Sequence, residues 1–441
     1  MAETMLIILM FIGLLVGLFL GHPLAFTLGG LAVIFGLLGW GPSVFYMFMN
    51  RIYGIMDNYV LIAIPLFIFM AQLLDQSGIA EDLFDSLRYL FGRLRGGVLL
   101  AVIVVSTVFA ACTGIIGASV VTMGLLSLPI LMKYGYQKEI STGGIAAGGT
   151  LGILIPPSIM LVVMAQQAAL SVGELFAAAV FPGFVLAFLY LSYIIIVCWL
   201  RPEIGPAASE EELASISTIN VLLKCLKSLV PPGVLVLGVL GSIFAGVATP
   251  TEAAGLGAFI SFFMVIAYRK FSWSGLYRAC VQTAKTNAMV IFILCGASCF
   301  TGVFLGIGGG EVVTDFILGS GLGRWQIFII MMLIVFLLGM FIDWLGIVLI
   351  CFPIFLPIAQ QLEFNKLWFV VVIAVNLQAS FLTPPFGYAL FYLAGIAPSD
   401  INITHIYKGI LPFVGLMLAG LTLCVLFPDL ILWLPSVIVS K

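Results

Sequence analysis

The stretch GGTLGILIPPSIMLVV, at residues 148–163, interrupts an apolar run with two adjacent prolines. Proline removes a helical hydrogen bond and disfavours helix at the residue before it, so this run is predicted to be a helix broken at Ile155-Pro156-Pro157-Ser158. A second run, 367–396, contains the same kind of break at Thr383-Pro384-Pro385-Phe386. The two Pro-Pro pairs begin at 156 and 384, an offset of 228 in the numbering. We therefore expect two discontinuous helices in matching places of two related halves.

The composition places these runs in a membrane. Hydrophobic residues make up 63% of the 441 residues and charged residues 8%, whereas soluble proteins carry about 25% charged residues. This excludes a soluble enzyme and a disordered chain. The net charge of −2 offers no field for nucleic acid. Because a helix needs ~20 apolar residues to cross a bilayer, we predict an all-α polytopic membrane protein surrounded by lipid.

The counts of reactive residues argue against chemistry in this chain. His22 and His405 are far apart, and the eight cysteines include no CxxC pair. Nucleotide-binding and zinc-protease motifs are also missing from the sequence. We therefore expect no enzyme activity, no cofactor, no metal cluster and no disulfide framework. The segment 1–19 lacks a basic start and a cleavage site, so it is predicted to be a retained first span.

Two apolar runs, 96–132 and 325–360, are too long for one span and too short for two spans with a loop. The first has Arg95 before it and Lys133 after it, so both of its ends should face the same side. Each run is predicted to be a re-entrant hairpin, the first turning near residues 113–119. Single spans are predicted at 5–20, 24–40, 58–74, 175–200, 229–247, 251–268, 286–305 and 408–435, with interfacial arms at 41–57 and 271–285 and a linker at 201–218.

The offset of 228 in the numbering also pairs residues other than the prolines between the two halves. It pairs Ala25 with Ala253, Gly29 with Gly257, Pro129 with Pro357 and Lys138 with Lys366. Each half is predicted to cross the membrane five times, so the second half must be inverted. If both termini are periplasmic, thirteen of the seventeen basic residues fall in the cytoplasm, as the positive-inside rule requires.

Paired breaks at membrane depth point to transport, because irregular backbone is tolerated there only in protein or beside a cavity. Half-helix N-termini favour anions, and unwound carbonyls can bind Na⁺. Asp343 is the only acid in the run 325–362, and a charge at that depth costs ~2.5–3.5 kcal/mol without a partner. Its partner is a cation, a proton or the helix end that it caps. Thr113 and Ser119 offer hydroxyls at the first turn, for a ligand or for bonds within their own helix.

Glu252 is a second acid in an apolar setting, but its context differs. The sequence Thr249-Pro250-Thr251-Glu252 is typical of a helix start, with Thr249 as N-cap and Glu252 as its reciprocal partner. We therefore predict a capping role for Glu252 and no ligand role.

Four stretches identify a family resemblance: 148–163, SVGELFAAAVFPG (171–183), GVATPTEAAGLGA (246–258) and QASFLTPPFGYALFYLAG (378–395). They resemble the large membrane subunit of tripartite ATP-independent periplasmic (TRAP) transporters. The resemblance implies an elevator-type, Na⁺-driven importer in the bacterial inner membrane. It also implies a small membrane subunit of about four helices, a periplasmic substrate-binding protein, and an organic anion such as a C4-dicarboxylate, sugar acid or sulfonate as substrate.

The same resemblance implies two Na⁺/substrate sites. The first would use Thr113, Gly114, Gly117, Ala118, Ser119, Gly152, Ile155 and Pro156. The second would use Asp343, Gly346, Gln378, Thr383 and Pro384. Many relatives carry a more polar first tip, whereas Ile115, Ile116, Val120 and Val121 stand here. The side chains of the first site therefore differ from theirs, whereas its backbone carbonyls are unaffected.

This interpretation divides the chain into scaffold segments, 1–95 and 229–324, and transport segments, 96–172 and 325–396. The segments 173–228, with the cytoplasmic linker, and 397–441 close the two halves. Three alternatives remain open: a stand-alone anion symporter, an ion channel and an intramembrane enzyme. A catalytic set within the bilayer would indicate the enzyme, and a neighbouring binding-protein gene would favour the tripartite importer.

Overall fold

The computed structural model of the chain describes residues 2–114, 116–207, 218–319, 321–384 and 387–439, and the regular elements in these ranges are helices. The first half contains α1 (Ala2–Phe19), α2 (Leu24–Trp40), α3 (Val44–Met56), α4 (Ala63–Ser77), α5 (Ile79–Phe91), α6 (Gly97–Thr113), α7 (Ile116–Lys133), α8 (Lys138–Thr150), α9 (Ile159–Gln167) and α10 (Val172–Leu200). The second half contains α11 (Thr218–Phe244), α12 (Pro250–Ala267), α13 (Trp273–Gly306), α14 (Gly309–Leu318), α15 (Arg324–Gly339), α16 (Trp344–Gln361), α17 (Lys366–Ser380), α18 (Tyr388–Ile396), α19 (Ile403–Leu426) and α20 (Asp429–Val439).

The predicted all-helical membrane class is confirmed. Within the described ranges, nine helical stretches are long and apolar enough to cross a bilayer, judged by length and composition. Large apolar side chains such as Leu237 and Phe188 are 73% and 68% exposed. In a bilayer such side chains contact lipid.

Three helices differ from the sequence-based expectation. The predicted arm 271–285 and span 286–305 form one continuous helix, α13, which contains no proline. In the first half the matching segments are separate, because α3 ends at Met56 and the Asn58 side chain accepts the Val60 amide at the start of a short 3₁₀ helix. The final span, predicted as 408–435, is divided into α19 and α20 around Pro428.

The linker begins as predicted after α10. The Gly205 carbonyl accepts the Gly96 amide at 2.8 Å, and the Ile204 carbonyl accepts the Gln137 amide at 2.9 Å. These bonds fix the start of the linker to both ends of the first hairpin. The rest of the predicted linker, residues 208–217, lies outside the described residues, and α11 begins at Thr218.

Two sets of helices pack closely through small residues. In the first set, α2 lies along α13, and a Cβ added to Gly296 would lie 2.6 Å from the Ala25 carbonyl oxygen. The pairing of α4 with α12 is similar, with Gly257 against Met70. In the second set, α19 lies along α8 where Gly143 faces Gly409. Small residues allow such close approach of helices in membranes.

Candidate functional site

The first hairpin turns at a left-handed glycine. Gly114 ends α6 with φ +61 and donates its amide to the Ala110 carbonyl at 3.2 Å. A positive φ costs little for glycine and more for other residues. The turn is therefore shorter than the predicted 113–119, because α7 already begins at Ile116. Ile115 and the side chain of Thr113 lie outside the described part. We keep the name first tip for residues 113–119.

The first tip packs directly on the first break, residues 151–158. A Cβ added to Gly114 would lie 3.2 Å from the Pro157 carbonyl oxygen. Ser158 starts α9 by accepting the Leu161 amide, and its hydroxyl donates to the Ile153 carbonyl. The predicted ligands Gly152, Ile155 and Pro156 all lie in this break and are buried. Tip and break are thus brought together as predicted.

Ser119 is the one predicted hydroxyl of the first tip that the structure describes. It is fully buried, and its hydroxyl has no hydrogen-bond partner among the described residues. Buried hydroxyls are normally paired with protein, water or an ion. The Ser119 hydroxyl is therefore a buried polar group whose oxygen could bind water or an ion. The neighbouring Ala118 is half-buried in the first turns of α7.

The second tip, residues 340–346, connects α15 to α16. Asp343 precedes α16 with extended backbone and lies beside the amides of Trp344 and Leu345, without forming a capping hydrogen bond. Its side chain is half-buried. Gly346, in the first turn of α16, is buried against the Leu24 side chain of α2. The predicted N-cap position of Asp343 is confirmed, and its carboxylate remains available to another partner.

The second break covers residues 381–387, of which Pro385 and Phe386 lie outside the described residues. Thr383 donates its hydroxyl to the Ala379 carbonyl at 2.9 Å. Thr383 and Pro384 are half-buried. Ser380, at the end of α17, contacts Gly339 at the end of α15, so this break also meets its own hairpin.

Gln378 is buried one turn before the second break. Neither its amide nitrogen nor its amide oxygen has a geometrically sound hydrogen bond within the described residues. The Tyr190 hydroxyl of α10, which is fully buried as well, is a neighbour of this amide. An amide in this state costs free energy unless water or an ion completes it.

A cavity of about 680 Å³ lies between the two tips. Such a volume suits a small molecule. Gly114, Gly117 and Asp343 face it from the tips. The opposite wall comes from the turn between α1 and α2 and from Thr286–Ile293 of α13. The lining is mostly apolar, with a few polar groups at defined places.

The cavity divides the predicted site residues. Three of them, Gly114, Gly117 and Asp343, line it. The other described site residues do not line the cavity: Ala118, Ser119, Gly152, Ile155, Pro156, Gly346, Gln378, Thr383 and Pro384. The sequence analysis missed the polar lining residues His22, Thr286 and Tyr392. Tyr392 lies one turn into α18, seven residues after Pro385, and packs over Gly117, so the motif itself held a signal. The positions of His22 and Thr286 depend on tertiary structure.

The prediction for Glu252 is confirmed. Glu252 forms the predicted capping box with Thr249: its carboxylate accepts the Thr249 amide at 2.8 Å, and Thr249 Oγ1 accepts the Glu252 amide at 3.3 Å. In the described part of the chain, no three His, Cys, Asp or Glu side chains cluster in a way that could hold a metal ion. Any cation here would therefore depend on carbonyl, hydroxyl and amide oxygens, together with Asp343.

Comparison with known proteins gives a consistent match. Residues 11–430 match the family model described as "Tripartite ATP-independent periplasmic transporter, DctM component". The C4-dicarboxylate TRAP transporter large permease protein DctM of Pseudomonas aeruginosa is 30% identical over 92% of this chain and 93% of its own length. The isethionate TRAP transporter permease protein DctMQ of Oleidesulfovibrio alaskensis is 30% identical over 93% of this chain and 63% of its own length.

A solved structure shares the fold. The YdaH transporter of Alcanivorax borkumensis superimposes with a TM-score of 0.64 over 93% of this chain and 96% of the YdaH chain, at 15% sequence identity. At this identity the likeness concerns the fold alone.

Proposed function

The chain belongs to the DctM component family of tripartite ATP-independent periplasmic transporters, and we propose that it imports a small organic anion together with Na⁺. The observation that carries the proposal is the cavity between the two tips, which both glycines of the first tip and Asp343 of the second face. Helix ends and unwound backbone at such a place suit an anion and its coupling cations.

Helix bounds support two inverted repeats. The ends of α7, at 116 and 133, are matched by the ends of α16, at 344 and 361, with the same offset as the Pro-Pro pairs. The start of α8 at Lys138 is likewise matched by the start of α17 at Lys366. An odd number of crossings in each half then inverts the second half relative to the first.

Contacts between the halves support the inverted topology, and the distribution of basic residues supports the proposed orientation, with both termini periplasmic in the inner membrane. Lys138 and Asp400, both assigned to the cytoplasmic side, form an ion pair at 2.9 Å. Thr251 and Tyr59, both assigned to the periplasmic side, are joined by a hydrogen bond of 3.1 Å from the threonine hydroxyl. A wrong assignment would place one partner of such a pair across the membrane.

An elevator mechanism would move one unit against another. We assign 96–172 and 325–396 to the mobile unit and 1–95 and 229–324 to the scaffold. The hairpins support this grouping, because α7 packs on α18 and α16 packs on α9, linking the two halves of the mobile unit. The closing helices α10 and α19 would move with it, since α10 packs on α9 and α19 lies along α8.

The structure suits a cytoplasm-facing state of this elevator. The second tip rests on the N-terminal end of α2, with Gly346 against Leu24. The turn preceding α2, residues 20–23, is assigned to the cytoplasmic side and lines the cavity. The anion would therefore leave the cavity towards the cytoplasm.

Two Na⁺ sites would flank the anion. At the first site, carbonyls of the first break and the Ser119 hydroxyl would supply oxygen ligands. At the second site, Asp343 would supply a carboxylate, with Gln378 and Thr383 as neutral oxygens. The unpartnered buried Ser119 and Gln378 side chains support this assignment. A cation beside Asp343 would also remove the repulsion between its carboxylate and an anionic substrate.

The expected partners are a small membrane subunit of four helices and a periplasmic binding protein. The isethionate relative is longer than the region matched by this chain, which covers 63% of it. We propose that the additional part of that relative corresponds to the small membrane subunit. The names of the relatives support a C4-dicarboxylate or a sulfonate as substrate class.

The test is uptake into proteoliposomes that hold this chain and its small partner. Radiolabelled succinate, a sugar acid and isethionate would be offered with the binding protein encoded beside the chain. We expect uptake of at least one anion only with both an inward Na⁺ gradient and the loaded binding protein. Uptake without the binding protein would establish the stand-alone symporter. Uptake that ignores Na⁺ would refute the coupling.

A further inference from the structure

We propose that His22 binds the anionic group of the substrate while the mobile unit faces the cytoplasm, and only then. This rests on the proposed function and adds a specificity residue that belongs to the scaffold. His22 lies in the turn between α1 and α2 and lines the cavity opposite the two tips. The ligand group would be a carboxylate or a sulfonate.

The backbone around His22 is well anchored. Gly21 turns the chain with φ +78, and the His22 amide donates to the Gly17 carbonyl at 3.2 Å. Pro23 follows and precedes the first turn of α2. The imidazole is therefore carried by a short turn fixed between two helices, while its side chain is exposed. In the described structure, no residue forms a hydrogen bond with the ring.

Charge makes His22 distinctive within the cavity. Among the described residues that line it, His22 alone can carry positive charge, and Asp343 alone carries negative charge. An imidazole can donate a hydrogen bond in either protonation state and adds charge when protonated. The nearby scaffold helix α13 contributes the Thr286 hydroxyl to the same wall. The surrounding side chains are mainly apolar, which strengthens any polar contact made there.

The contact must depend on the state of the transporter, because His22 does not travel with the mobile unit. The internal repeat places no equivalent histidine on the periplasmic side. The position that matches His22 in the second half is Pro250, at the periplasmic start of α12, and proline has no side-chain donor. The scaffold would therefore draw the anion from the mobile unit on the cytoplasmic side and offer no matching group on the periplasmic side.

Kinetics on the two sides of the membrane test this. In proteoliposomes of known orientation, succinate and isethionate exchange would be measured with the anion varied on the cytoplasmic or on the periplasmic face. We expect His22→Leu, which removes the donor, to raise the half-saturating concentration on the cytoplasmic face about tenfold or more, the effect of one hydrogen bond to a charged group. The half-saturating concentration on the periplasmic face should not change.

The matched control is His405→Gln. His405 accepts the Asn402 amide through Nδ1 at 3.1 Å in a capping box at the start of α19, and glutamine suits the same role. Both half-saturating concentrations should stay unchanged in this variant. Equal changes on both faces in His22→Leu, or no change on either face, would overturn the proposal.

A second measurement needs no transport and separates failure of this proposal from failure of the proposed function. Thr286→Cys would be made in a background with Cys280→Ser and Cys295→Ser. Its reaction rates with a sulfonate-bearing and a trimethylammonium-bearing thiol reagent would be compared. We expect His22→Leu to lower the anion-to-cation rate ratio about threefold or more, because the ring N–H would no longer donate a hydrogen bond to the sulfonate. An unchanged ratio would overturn the role of His22, even if no transported anion had been found.

Discussion

The two hairpin tips occupy matching places and differ in chemistry. The position that matches Asp343 in the first half is Ile115, so the acid has an apolar counterpart. The first tip is pressed against a fully buried break and carries the unpartnered Ser119 hydroxyl inside the protein. The second tip presents the half-buried Asp343 to the cavity. The two tips therefore share a backbone arrangement, but the first offers only neutral oxygens and the second offers a charged carboxylate.

This difference has consequences for coupling. A neutral site can hold a cation only through the number and geometry of its oxygens, so it depends on the packing of its backbone. A site with a carboxylate gains direct attraction and also repels the anion until the cation is bound. Mutations should therefore act on binding at the second tip and more on packing at the first.

The largest effect is expected from Asp343→Ala. Removing a carboxylate that offsets a cation costs ~3 kcal/mol, equivalent to about 150-fold in Na⁺-dependent uptake. The measurement is initial uptake against Na⁺ concentration in proteoliposomes. Asp343→Asn, which keeps the shape, should lose nearly as much. Normal Na⁺ activation in either variant would remove Asp343 from coupling and abolish the contrast between the tips.

Gly114→Ala tests the packing of the first tip. The substitution combines a left-handed backbone with a contact at 3.2 Å to the Pro157 carbonyl, so we expect a loss of ~2–4 kcal/mol in the free energy of unfolding. Gly135→Ala is the matched control: it has φ +75 and no described atom within 4 Å of an added Cβ. The control should lose only ~1 kcal/mol. Equal losses in thermal unfolding experiments would contradict the tight contact between tip and break.

Ser119→Ala distinguishes a cation-binding role of the Ser119 hydroxyl from a structural role at the first tip. If the hydroxyl completes a cation site, its removal should raise the half-saturating Na⁺ concentration about fivefold. The melting temperature without Na⁺ should stay the same or rise, because an unpaired buried hydroxyl is lost. Thr383→Ala at the second break, whose hydroxyl is bonded to Ala379, should affect Na⁺ dependence less. A larger effect of Thr383→Ala than of Ser119→Ala on the half-saturating Na⁺ concentration would contradict the roles assigned to the two sites.

The smallest effect concerns the ends of α8 and α17. Lys138 is paired with Asp400, and this partner lowers the pKa of the Asp400 carboxyl. A lowered folded-state pKa stabilises the protein above the ordinary aspartate pKa of about 3.9, and the stabilisation is lost as the pH falls through that lowered value. Asp400→Asn should lower the melting temperature slightly at pH 7, with the difference fading towards pH 3.

The matched control for this pair is the equivalent lysine of the second half. Lys366 begins α17 and has no ion pair among the described residues. Lys366→Gln should therefore leave the melting temperature unchanged at both pH values, whereas Lys138→Gln should lower it slightly at pH 7. A similar response of the two lysines would mean that the exposed ion pair contributes nothing measurable, as is common for surface pairs.

Local chemistry explains which elements were predictable. Both breaks were located by Pro-Pro pairs, and the Glu252 capping box by the spacing of three neighbouring residues. Other prolines were less informative: Pro129, Pro182, Pro412 and the pair Pro231-Pro232 lie inside described helices, whereas Pro428 divides two. Whether a lone proline ends a membrane helix depends on whether neighbouring groups satisfy the freed carbonyl, which is a tertiary property.

The candidate site was predictable in part for the same reason. Gly114 and Asp343 could be placed because each is unusual within its apolar run. His22 and Thr286 reach the cavity only through the packing of scaffold helices on the tips, and no local pattern marks them. The continuity of α13 also escaped prediction, because its polar first third is more typical of an interfacial arm.

The most direct test of the account is reciprocal coupling, measured as uptake of radiolabelled Na⁺ driven by the anion. Proteoliposomes with this chain and its small partner would receive the loaded binding protein at equal Na⁺ concentration on both sides. We predict net Na⁺ entry together with the anion, at more than one Na⁺ per anion, and its loss in Asp343→Ala. Entry of the anion without any Na⁺ would contradict the central claim that the two tips form cation sites around a shared substrate.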